Sequence, residues 1–220
     1  MIQPSFLYPF LDGDSSTNPA HRPQGDPDDK ALVELARAAR SSWTFGEILD
    51  EETLAANTER IQEAATLIAA CAARSRRVFV VGNGGSACDA ERFVRLLKPS
   101  IMAQSLLDSV VITALANDVG ADRIFDRQIE TFVQAYDVVV AFSTSGTSAN
   151  ILAALARARR QGAHTIVLAG YGGAELPANP NVDVCLTVES SSVHRIQEAQ
   201  GALSAKLAER VAHQLARAQQ

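Results

Sequence analysis

Two short segments of this chain carry the residues best suited to chemistry. Ser143-Thr144-Ser145-Gly146-Thr147-Ser148 follows an apolar run and precedes a helical stretch that begins at Ala149. Hydroxyls and backbone N–H groups gathered at a helix N-terminus form a site for a phosphate, favoured further by the helix dipole. Serine suits a doubly ionised phosphate, which offers many acceptor oxygens and no donor. A helix cap needs only one hydroxyl. Ser143, Thr144, Ser145 and Ser148 supply more than that, so the segment reads as a phosphate-binding loop. The second segment, Gly82-Asn83-Gly84-Gly85-Ser86-Ala87, also follows an apolar run. Its Gly82-x-Gly84-x-x-Ala87 spacing matches the dinucleotide fingerprint. That fingerprint also needs an acidic residue about 20 positions on, at the end of the second strand. Asp108 precedes the expected second strand and Asp118 comes too late, which argues against a nicotinamide cofactor. Neither loop has the Gly-x-Ser-x-Gly of a hydrolase elbow.

Loops of this kind need a frame, and the pattern from Arg77 onward supplies one. Short apolar runs at Val78–Val81, Val110–Leu115, Val138–Phe142, Thr165–Leu168 and Val182–Val188 read as five strands. Helical stretches lie between them at 89–97, 121–135 and 149–160, with a short one near Ala174. Strands apolar on both faces are those of a parallel sheet covered by crossover helices. The expected fold is therefore α/β, a three-layer αβα sandwich around a five-stranded parallel sheet. Long helices bracket it, one over 51–73 with Leu54, Ile61, Ala65 and Ile68 at helical spacing, and one over 194–216 with Ile196, Leu203, Leu207, Val211 and Leu215 on one stripe. In such sheets ligands bind outside the carboxyl ends of the strands. The first strand would end at the Gly82 loop, the second at Asn117-Asp118 and the third at the Ser143 loop.

Composition limits the remaining choices. The chain has 220 residues, 47% hydrophobic and 20% charged, with net charge −5. That much apolar surface excludes a wholly disordered chain. No apolar run nears the ~20 residues of a membrane span. Pro4 and Pro9 interrupt the apolar start, which does not read as a signal peptide. A net-acidic chain without a Lys/Arg-rich stretch is not expected to bind nucleic acid. Cys71, Cys88 and Cys185 lack the paired spacing of a zinc site and read as reduced thiols of a cytoplasmic protein. Residues 1–29, with Pro4, Pro9, Pro19, Pro23 and Pro27, read as a disordered tail, and 30–220 as the folded body, beginning with a helix through Leu32, Val33, Leu35 and Ala36.

Taken in order, Gly82-Asn83-Gly84-Gly85-Ser86, Asn117-Asp118, Ser143-Thr144-Ser145-Gly146-x-Ser148-x-Asn150 and Arg195-Ile196-Gln197-Glu198 resemble the sugar isomerase (SIS) domain, in its phosphoheptose isomerase branch. The resemblance runs from about Thr53 to the C-terminus. It implies interconversion of sedoheptulose 7-phosphate and D-glycero-D-manno-heptose 7-phosphate in a homotetramer with sites between subunits. It implies that Ser143, Thr144, Ser145 and Ser148 hold the phosphate. Asn83, Ser86 and Asp118 would contact the sugar, and Gln197 would face its reacting end.

The family's zinc and acid–base positions are another matter. They correspond here to Arg92, Leu96, Gln197 and Ala205, and of these only Gln197 matches the family pattern. A lone Gln does not hold zinc, so no metal and no other cofactor is expected. Substitute chemistry would draw on Arg92 as the positive charge, with His194, Glu198 or Glu91 as base; His194 reads more readily as a helix residue facing solvent, and Arg92 reads equally well as part of a solvated helix face. Cys88 reads either as a thiol activated at a helix N-terminus or as a small packing residue. His21, His164 and His213 form no cluster. The expected function is a phosphosugar-binding SIS protein of the phosphoheptose isomerase type with an altered, zinc-free centre. The alternatives are a catalytically silent phosphosugar sensor or scaffold, and one half of a hetero-assembly with a catalytic paralogue.

Overall fold

A computed structural model describes residues 51–98 and 100–218. The expected tail over 1–29 and the helix through Leu32 to Ala36 lie outside the described residues. The chain alternates helices and strands: α1 (Glu51–Ala73), β1 (Val78–Gly82), α2 (Gly85–Leu97), β2 (Ala103–Ser105), α3 (Ser109–Val119), α4 (Ile124–Phe132), β3 (Val138–Ser143), α5 (Ala149–Arg160), β4 (His164–Ala169), β5 (Val184–Thr187) and α6 (Val193–Ala218). Single 3-10 turns at Ala121–Arg123, Tyr171–Gly173 and Leu176–Ala178 complete it.

All five strands are parallel, in the order β2-β1-β3-β4-β5. Every residue of β1 and β3 is buried, which is why these strands show no polar alternation in sequence. Alternate residues go to opposite cores. Val78, Val80, Val138 and Val140 pack with α1, α2 and α6, while Phe79, Val81, Val139 and Ala141 pack with α4 and α5. Each of these valines and Phe79 contributes about 1.5–3 kcal/mol of burial, so the sandwich rests on its central strands. Phe93 of α2 meets Phe142 of β3 edge-on at 5.9 Å.

Two buried amides pin the long helices to the sheet. Asn57 of α1 donates to the Thr187 carbonyl and accepts from the Thr187 N–H, at 2.8 and 2.9 Å. Gln200 of α6 donates to the carbonyls of Leu168 and Ser143 at 2.9 and 3.3 Å. Gln200 thereby fixes α6 against the carboxyl ends of β3 and β4.

One expected strand is a helix. Val110–Leu115 lies inside α3, and the sheet's edge is β2, which pairs Ala103, Gln104 and Ser105 with Val78, Phe79 and Val80. The Asp108 carboxylate accepts from the N–H groups of Val110 and Val111, both at 3.0 Å, capping the helix. β-propensity expresses fit to a pleated, half-buried surface. With that edge taken by β2, the cap decides, and α3 buries none of its own residues. Val110 stays 74% exposed. The expected helix over 121–135 is the 3-10 turn followed by the shorter α4. Among the described residues no helix is long and apolar enough to cross a membrane.

Candidate functional site

In this strand order the crossovers leaving β1 and β3 diverge to opposite sides of the sheet. Such a reversal opens a crevice at the carboxyl ends of those two strands. The crevice falls between the Gly82–Ser86 and Ser143–Ser148 loops. A reciprocal pair of amide hydrogen bonds joins them, Asn83 Nδ2 to Asn150 Oδ1 and Asn150 Nδ2 to Asn83 Oδ1, both 2.9 Å.

The hydroxyl loop is arranged to donate. Gly146 N–H donates to Ser143 Oγ at 3.0 Å and Thr147 N–H donates to Ser145 Oγ at 3.2 Å. Each hydroxyl accepts from the backbone and keeps its own proton for another oxygen. Ser148 stands at the head of α5 with no side-chain capping bond, and the α5 N-terminus adds its partial positive charge. Ser143 is buried, and Thr144, Ser145 and Ser148 are half-buried.

The first loop feeds α2, which packs along α6 through two glycine notches. The side-chain amide of Gln197 lies over Gly85; a Cβ there would sit 2.1 Å from Gln197 Nε2. The guanidinium of Arg92 lies over Gly201, where a Cβ would sit 2.7 Å from its Nη1 and 3.8 Å from Asp89 Oδ1. Glycine inside a helix costs about 1 kcal/mol relative to alanine, so Gly201 trades helix stability for room for that cation. Between the helices opens a cleft of ≈ 420 Å³, lined by Gly85, Cys88, Asp89, Arg92, Gln197, Glu198 and Ala202. Asp89 Oδ2 and Glu198 Oε2 are buried without a hydrogen-bond partner. Burial pushes the Asp89 carboxyl above its ordinary range, and the Arg92 charge opposes this in part.

The structure brings Asn83, Ser143, Thr144, Ser145 and Ser148 to the crevice, with Ser86 buried in the first turn of α2. It brings Arg92, Gln197 and Glu198 to the cleft. Asp118 does not follow a strand: it is exposed on the last turn of α3 and accepts from Asn117 Nδ2 at 3.0 Å. His194 is exposed in the first turn of α6. Glu91 is taken up by the Ser105 hydroxyl. His164 pairs with Asp183 at the amino end of β4, and His213 lines a separate groove between α1 and α6.

Cys88 is exposed in the cleft rather than packed inside. Sequence reasoning missed Asp89 and Gly201 as site residues, and it placed Asn150 in a motif without giving it a role. Gly201 was the detectable signal, a glycine set in the apolar-striped middle of a long helix.

The donor set does not fit zinc. Arg92 is a cation, Leu96 is apolar and 42% exposed, and Ala205 has no ligating atom. Among the described residues no group of three or more His, Cys, Asp or Glu gathers as ligands.

Residues 46–170 match a family model described as the SIS domain. The chain is 38% identical over 193 residues to the phosphoheptose isomerase of Solidesulfovibrio magneticus, covering 84% of this chain and 88% of that one. It is 42% identical over 147 residues to the phosphoheptose isomerase of Geobacter sulfurreducens, covering 63% and 77%. Its fold matches the solved phosphoheptose isomerase of Neisseria gonorrhoeae with TM-score 0.71 at 29% identity, covering 84% of this chain and 98% of that chain.

Proposed function

Because the chain belongs to the SIS domain family, we propose that it binds a phosphorylated sugar in the β1/β3 crevice and interconverts its aldose and ketose forms without zinc. The observation that carries this reading is the hydroxyl loop: Ser143 and Ser145 already accept from the backbone, and Ser148 leaves the α5 N-terminus uncapped. The likeness to phosphoheptose isomerases supports a seven-carbon sugar phosphate as substrate. Thr144, Asn83 and Ser86 would complete the phosphate and sugar contacts, and Gln197 the reacting end. Arg92 and Glu198 are the chemical groups of the cleft under this reading, with His194 a third candidate from the rim. A coupled assay with sedoheptulose 7-phosphate, run with and without added zinc, tests it. Turnover under both conditions is expected, and no turnover under either would overturn it.

A second reading has its own observation. Leu96 and Ala205 stand where the family's acid–base pair is implied, which favours a silent phosphosugar sensor or scaffold. Thermal stabilisation by the sugar phosphate without turnover would favour this reading. We further propose a cytoplasmic homotetramer in which a second copy covers α3, the helix that buries none of its own residues and carries Asp118. Native mass measurement tests it, and co-purification with a catalytic paralogue would point instead to a mixed assembly.

A further inference from the structure

The cleft between α2 and α6 holds a carboxylate that the phosphate site does not use. Asp89 lies one turn into α2, beside the Arg92 guanidinium in its Gly201 notch. Its Oδ2 is buried with no hydrogen-bond partner, an arrangement a fold retains at a cost and one that calls for an explanation. Glu198 of α6 shares this state, with its own Oε2 buried and unpartnered, whereas two further acids are differently occupied. Glu91 holds the Ser105 hydroxyl and Asp118 holds Asn117, while His194 stands in solvent at the rim.

We propose that Asp89 is a further catalytic residue, the proton carrier between adjacent carbons of the bound sugar, with Arg92 stabilising the oxyanion that forms. The inference rests on the isomerase reading above and names the base which that reading leaves open. In the aldose-to-ketose direction the Asp89 carboxylate removes the proton from C2. The C2–H electron pair becomes the C1=C2 bond, and the carbonyl pair moves onto O1, giving an enediolate that faces the guanidinium. Glu198 passes the O2 proton to O1, C2=O forms, and Asp89 returns its proton to C1. No oxidant or further reactant is needed. Arginine is protonated throughout the accessible pH range, so its charge at O1 does not depend on a metal.

A base works best when its pKa lies near the operating pH, and burial raises that of Asp89. The titratable and charged groups sharing its cleft are Cys88 and Arg92 on α2 and Glu198 on α6. Only the ionised form abstracts a proton, so the rate rises with pH through a midpoint above the ordinary carboxylate value of about 3.9.

The test is exchange of the sugar's C–H protons with deuterium oxide, followed by NMR on the full chain with sedoheptulose 7-phosphate, alongside thermal shift for binding. Wild-type protein should bind the sugar and wash deuterium into C1 or C2. Asp89→Asn should bind within about twofold but exchange roughly 100- to 10,000-fold more slowly. Its unfolding temperature should not fall, because the substitution removes a charge that burial penalises. Asp89→Glu should restore part of the exchange with a displaced pH midpoint.

If the wild type exchanges and Asp89→Asn exchanges like it, Asp89 is not the carrier. If Asp89→Asn does not fold, Asp89→Glu decides, and an unchanged pH profile in that variant overturns the proposal. Absence of exchange by the wild type, with or without binding, overturns the isomerase reading itself and the proposal that rests on it.

Discussion

At the amino ends of the strands, carboxylates are fully engaged. Asp137 accepts from the N–H groups of Arg77 and Gln134 at 3.0 and 2.7 Å and pairs with Arg76 at 3.1 Å. Asp183 accepts from Thr165 N–H at 2.9 Å and pairs with Arg159 at 2.7 Å. At the carboxyl ends the pattern is reversed: Asp89 and Glu198 each keep a buried oxygen without a partner, and Ser148 leaves its helix uncapped. One end of the sheet spends its carboxylates on folding. The other keeps an oxygen of Asp89 and of Glu198 unspent, as a ligand site requires.

That contrast can be broken in order of expected effect. Asp137→Ala removes a buried acceptor from two amides and an arginine, and should lower unfolding free energy by about 3–5 kcal/mol in urea titrations. Ligand affinity of the folded fraction should be unchanged; a large loss of affinity would erase the distinction between the two ends. Ser145→Ala and Ser148→Ala should act the other way. Each hydrogen bond to a charged oxygen contributes roughly 1.5–3 kcal/mol, so phosphosugar affinity should drop tenfold or more per substitution, with little change in the melting of the free protein.

Gly201→Ala sharpens the comparison, because ordinary helix propensity predicts a gain of about 1 kcal/mol. Its Cβ would instead sit 2.7 Å from Arg92 Nη1. Turnover should fall by roughly 10- to 100-fold through misplacement of the guanidinium; a variant that is more stable and fully active would show that the notch has no functional role.

The thiols give a smaller effect. Burial pushes Cys71 up to about 12, helped by nearby Asp137, and Cys185 up to about 11. The unfolded chain loses these protons near pH 8.5, so above that it holds fewer protons than the folded state. The stability these thiols contribute is complete below that pH and is lost as pH rises towards their folded values. Urea unfolding between about pH 8 and 11 should show the decline, flattened by Cys71→Ala. Exposed Cys88 should be the thiol that a reagent modifies in the native protein. The smallest effect is a null one: dialysis against a chelator should leave activity unchanged, since the α2–α6 cleft has a cation where zinc ligands would be needed.

Much of this organisation was legible in the residue order. Strands β1, β3, β4 and β5 are apolar on both faces and announce a buried parallel sheet, and the hydroxyl count from Ser143 to Ser148 exceeds what a cap needs. The run Val110–Leu115 misled, because its β-branched residues match a strand while Asp108, just before it, is a cap whose effect depends on whether a sheet edge is open. Asp89 was passed over because nothing local distinguishes it from a surface acid on an amphipathic helix.

Sequence alone determined the alternation of elements, the two loops and the replacement of three of the four implied zinc positions by Arg92, Leu96 and Ala205, because each is set by residue type and near-neighbour spacing. Tertiary structure alone decided that β1 and β3 lie side by side, that Asn83 meets Asn150, and that Arg92 settles on Gly201 next to Asp89. Those contacts join residues dozens to more than a hundred positions apart. Their geometry follows from the strand order and from how helices α2 and α6 pack on one face of the sheet, and no local pattern in the chain encodes it.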